Sequence, residues 1–129
     1  MVVGGCFILF SNWLFFNAGS SYTVTQDKES NIPQLTAMNT IMSAVGSIVT
    51  IALLGVFADV IGSKRNITLK FDVITLVGSV MAGCVSATAC CNNVEPTSAL
   101  LCGVVGASIY KSTVVLFDRL EIDDPLQVS

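Results

Sequence analysis

LTAMNTIMSAVGSIVTIALLGVFADV, residues Leu35 to Val60, runs without a charged side chain until Asp59. It is longer than the ~20 residues needed to cross a ~30 Å hydrocarbon core as a helix. Apolar and polar residues do not alternate along it, which excludes a membrane strand. Three more apolar runs flank it: residues 2–17, 71–91 and 98–117. The reading is all-α, a polytopic integral membrane helix bundle of about four spans, with the start of a further helix at 124–129. That last segment carries Asp123-Asp124-Pro125, a cap residue followed by Pro, and the expectation is that the chain is an internal piece of a longer protein. The first run is short and abrupt, which fits a truncated span. A signal-peptide reading finds a loose cleavage motif in Ala18-Gly19-Ser20, but no Lys or Arg precedes the run and Ser11-Asn12 interrupt it.

Composition agrees with lipid as the solvent. The chain of 129 residues is 53% hydrophobic and 12% charged, with a mean hydropathy of +0.77. A soluble domain carries about 25% charged residues to wet its surface. The net charge of -3 leaves no footprint for nucleic acid. Histidine is absent, which removes the commonest general base and metal ligand. No run offers paired acids, a Ser/Lys dyad or a metal set, so an enzyme is not expected, and no cofactor or metal is predicted. The cysteines Cys6, Cys84, Cys90, Cys91 and Cys102 contain no CxxC pair and read as small buried hydrophobes rather than a disulfide framework.

Loop charges orient the spans. The 62–70 loop carries Lys64, Arg65 and Lys70 with no acid, whereas Asn92 to Thr97 has no base and Ser20 to Gln34 sets Lys28 against Asp27 and Glu29. The positive-inside rule then places the 62–70 loop and both chain ends in the cytoplasm. Asp59 reads as an end-of-helix partner for Lys64 and Arg65. Lys111 is the one charge well inside an apolar run; near the cytoplasmic end, it is expected to snorkel to the headgroups rather than serve transport. Small residues recur every four positions at Gly78/Ala82, Ser79/Gly83/Ala87 and Ala99/Gly103/Ala107, a spacing that lets helices approach closely in lipid.

The sharpest cluster is Trp13-Leu14-Phe15-Phe16-Asn17-Ala18-Gly19-Ser20. Read alone, it fits an aromatic belt at the outer interface. Its order, however, resembles the signature at the outer end of the sixth span of Amt/Rh ammonium transporters. The likeness continues in order through Ala37-Met38-Asn39-Thr40 and Ser43-Ala44-Val45-Gly46, which resemble the seventh span. Ser86 to Cys91 with Val94-Glu95-Pro96 resembles the eighth span and the loop after it. Leu120 to Leu126 resembles the segment leading into the tenth, and its Asp-Asp-Pro form is similar to the Amt branch.

That resemblance implies about four spans, the sixth to the ninth, of an eleven-span fold that assembles as a homotrimer with a narrow pore in each subunit. It implies ammonium or ammonia as the substrate, a lipid bilayer as the setting, nitrogen uptake as the role and the plasma membrane as the location. It further implies that Phe16 belongs to an aromatic gate at the outer mouth, that Ser20 helps receive ammonium there and that Trp13 packs behind the gate. An aromatic face attracts a cation, and a hydroxyl oxygen accepts its N–H bonds. The family's sixth span runs outward and its seventh inward, as the loop charges also require. The family's pore histidines belong to its fifth and tenth spans, so the residues present are not expected to conduct by themselves. Leu14, Phe15 and Lys111 depart from the family's usual pattern. The alternative reading is a non-transporting four-span scaffold, or truncated paralogue, that associates with full-length subunits.

Overall fold

The computed structural model describes residues 1–20, 32–60 and 73–122. Four helices follow one another: α1 (Val2–Ser20), α2 (Ile32–Val60), α3 (Val73–Thr88) and α4 (Pro96–Arg119). The 62–70 loop, the acid–base set at 27–29, the Asp59 side chain and the expected helix start at 124–129 lie outside the described residues.

Helices α1, α2 and α4 are long and apolar enough to cross a membrane. Among the described residues the third apolar run, read as 71–91, is helical over Val73–Thr88, whose 16 residues rise about 24 Å. Beyond Thr88 the backbone tightens into a turn, where the Cys90 and Cys91 N–H groups both reach the Ala87 carbonyl at 3.0 and 2.9 Å. Pro96 then opens α4 from an extended Glu95 (φ -74°, ψ 154°), a position where the missing N–H breaks no bond. At the other end of α4, Glu121 adopts a left-handed φ of 53° and lets the Ile122 N–H close back on the Phe117 carbonyl at 3.1 Å.

Helix α2 is central and packs against the other three; α1 leans on α2 and α3, and α4 covers the opposite side of the α2–α3 pair. The closest approach is between α2 and α4, and it is reciprocal. A Cβ on Gly46 would overlap the Leu100 carbonyl, and one on Gly103 would overlap the Ser43 carbonyl. Only glycine at both positions lets the two backbones touch. Ser43 also donates its hydroxyl to the Gly83 carbonyl of α3 at 2.7 Å, so three helices meet around one serine.

The interior is small and polar. The largest fully buried side chains include Asn39, Thr36, Thr40, Ser43, Ser47 and Ser79, while Phe7, Ile8, Phe15, Leu53, Phe57 and Leu101 point outward. With lipid outside, a hydrocarbon core has no driving force, and close packing plus hydrogen bonds between helices takes its place. The small-residue stripes follow this rule: Ser79, Gly83 and Ala87 are buried on α3, and Ala99, Gly103 and Ala107 on α4.

Lys111 falls one turn beyond Ala107 on that same buried face and is 7% exposed. It shares a cavity with Leu54 of α2 and with Ser108 and Arg119. Depth along the helix suggests snorkelling to the headgroups, and the four-residue register sets the side chain on the face that packs against α2.

Candidate functional site

The residues singled out on α1 sit on one side of that helix, because spacings of three and four residues stack on one face. Trp13 and Phe16 are brought together, with ring centroids 6.4 Å apart and planes inclined at 69°, an edge-to-face pair. Trp13 is half-buried, and its indole Nε1–H donates to Thr88 Oγ1 on α3 at 2.9 Å. The Thr88 hydroxyl in turn donates to the Cys84 carbonyl at 2.9 Å, so its oxygen is held ready to accept. Phe16 is 60% exposed. Ser20 is the exposed last residue of α1, one turn past Phe16.

The residue that fixes this cluster is Asn17, which has no role in the sequence-based expectation. It is the one buried position described on α1, 2% exposed, and its Nδ2 donates to Thr40 Oγ1 of α2 at 3.0 Å. Thr40 donates its own hydroxyl to the Thr36 carbonyl at 2.8 Å. Trp13 and Asn17 are one turn apart, and each bonds inward to a different helix. Between them α1 cannot roll, and Phe16 is held facing out. An Asn at the end of an apolar run is the available signal, since such residues bind neighbouring helices.

A second asparagine ties the turn between α3 and α4. Asn39, fully buried, donates to the Cys91 and Val94 carbonyls, both at 2.7 Å. Two carbonyl acceptors fix which end of the amide is the nitrogen. Its Oδ1 and that of Asn17 are then buried acceptors with no partner among the described residues. The exposed Phe16 ring and the Ser20 hydroxyl one turn beyond it suit a cation bearing N–H groups, since a ring face attracts the charge and a hydroxyl oxygen accepts N–H bonds. Among the described residues no group of His, Cys, Asp and Glu is arranged to hold a metal ion.

Comparison with known proteins agrees in kind. The family model described as Ammonium Transporter Family matches residues 1–129. The chain is 32% identical over 132 residues to Ammonium transporter 1 member 2 of Arabidopsis thaliana, covering 100% of this chain and 25% of that protein. It is 34% identical to Ammonium transporter 1 member 2 of rice, Oryza sativa subsp. japonica, over 100% of this chain and 26% of the relative. Ammonium transporter 3 of Dictyostelium discoideum is 27% identical over 123 residues, 95% of this chain and 26% of its own length. No solved structure matches. The chain spans about a quarter of the length of these curated relatives.

Proposed function

Because the chain belongs to the Ammonium Transporter Family, matched along residues 1–129, we propose that it serves ammonium transmembrane transport and contributes one lip of the outer mouth of the pore. The observation that carries this reading is the α1 cluster. Phe16 is exposed and edge-packed on Trp13, while Trp13 and Asn17 are bonded to α3 and α2. A residue serving only as an interfacial anchor needs no such support behind it.

In this reading ammonium meets the face of the exposed Phe16 ring, the Ser20 hydroxyl accepts one of its N–H bonds, and part of its water is lost before entry. Trp13 keeps Phe16 in place. The bundle is integral to the membrane, as three helices of crossing length and the family both indicate. The finer placement is part of the proposal: plasma membrane, the 62–70 loop and both ends cytoplasmic, the turn between α3 and α4 outside, and homotrimeric assembly of the complete subunit. With only about a quarter of its relatives' length, this segment conducts as part of a longer polypeptide.

The test is growth on low ammonium of a yeast without its own ammonium carriers. A chain extended to the relatives' full length is expected to rescue growth, and residues 1–129 alone are not. In the extended protein Phe16→Ala is expected to change flux per assembled subunit at least several-fold with trimer yield unaltered. Unchanged flux would reduce Phe16 to a belt residue and sink the gate assignment.

A further inference from the structure

We propose that Cys90 and Cys102 form an oxidisable dithiol, closed by peroxide to a disulfide that ties the α3–α4 turn to the body of α4. Their sulfurs are 3.8 Å apart, one on the turn and the other in the second turn of α4, and both side chains are half-buried. The remaining thiols are placed differently. Cys84 is fully buried and Cys91 is 3% exposed. Cys6 lies far along α1, near the opposite end from the Trp13 cluster. Proximity and partial access together single out one pair among the five cysteines.

The chemistry balances with peroxide as the named oxidant. One thiolate attacks a peroxide oxygen; the O–O bond breaks, a sulfenic acid forms, and the released hydroxide takes the thiol's proton as water. The second thiol attacks the sulfenic sulfur, the S–S bond forms, the S–O bond breaks, and a second water leaves. Two thiols and one peroxide thus become one disulfide and two waters. The sulfurs have to approach from 3.8 Å to the ~2.05 Å of a disulfide, a shift that a short turn accommodates more readily than a packed helix.

The turn is not an isolated segment. Asn39 of α2 donates to two of its carbonyls, Cys91 and Val94. The next residue, Thr40, accepts from Asn17 of α1. A disulfide at Cys90 therefore fastens the acceptors on which α2 hangs, beside the residue that orients the aromatic cluster. The expected effect is a more rigid turn and a higher unfolding temperature in the oxidised form.

The experiment treats the membrane-embedded protein with hydrogen peroxide and blocks free thiols with N-ethylmaleimide. Reduction and labelling with a polymer-tagged maleimide then count the thiols that peroxide had joined. Two labels per chain are expected, on a monomer band, with a peptide carrying residues 90 and 102 two hydrogens lighter than its reduced form. Cys90→Ser and Cys102→Ser are each expected to abolish both labels, while Cys91→Ser retains them. Phenylarsine oxide, which bridges two adjacent thiols at once, needs no variant and is expected to protect the pair in the unaltered protein. Failure of the arsenical to protect, or linkage through Cys91, or labels that survive Cys90→Ser, would overturn the assignment.

Discussion

Asn39 uses both of its amide hydrogens on carbonyls 52 and 55 positions further along the chain. Both carbonyls face the buried Asn39 amide, so its removal leaves them without that partner. Asn39→Ala is expected to destabilise the bundle by about 1–3 kcal/mol, the range for orphaned buried acceptors, read from thermal unfolding in detergent. Trp13 supports a sharper measurement, because it is the chain's single tryptophan. Thr88→Val keeps the shape and removes the acceptor of the indole N–H, and Trp13 emission is expected to move to shorter wavelength. An unmoved spectrum would mean that the indole bond does not persist in the membrane. Trp13, Phe16 and Ser20 are legible in the sequence through the order of their motif. Thr88 and Thr40 are not legible as partners, since nothing local distinguishes a threonine that accepts a bond from a neighbouring helix from one that only bonds its own backbone.

Helix α4 carries its register in one line: Ala99, Gly103, Ala107 and Lys111, all buried. The four-residue repeat is readable from sequence, and it marks the packed face. Which helix that face meets is not readable, because a small-residue stripe fits any flat neighbour. The α2 partner emerges from the reciprocal contact of Gly46 with Leu100 and of Gly103 with Ser43. Lys111 shows the same gap: its depth is plain, but its rotation about the helix axis depends on that partner. A paired substitution separates close packing from simple helix preference. A methyl added at Gly4 meets nothing within 4 Å, so Gly4→Ala is expected to leave stability within about 0.5 kcal/mol, as surface changes do. Gly103→Ala drives a methyl into the Ser43 carbonyl and is expected to cost about 1–3 kcal/mol, the range for overpacking. Comparable melting temperatures for the two variants would contradict the α2–α4 contact.

Over the whole molecule, composition alone identifies lipid as the solvent: 53% hydrophobic and 12% charged leaves no wetted shell. Among the described residues each helix coincides with one of the apolar runs, so those four are legible too. The short α3 is less so, since Ala89 to Cys91 are apolar yet belong to a turn that Asn39 holds from outside it. The arrangement that results puts serine, threonine and asparagine inside and phenylalanine, leucine and isoleucine outside. That distribution has a calorimetric consequence. A water-soluble domain absorbs about 12–15 cal/mol/K per residue on unfolding, because its apolar core becomes hydrated. Here the apolar surface is already in contact with lipid before the helices separate, and what parts is a set of hydroxyl, amide and backbone contacts. Helix separation inside a bilayer is expected to show a heat-capacity change several-fold below the soluble value. Stability plotted against temperature would then be close to a straight line, with no cold-denaturation limb.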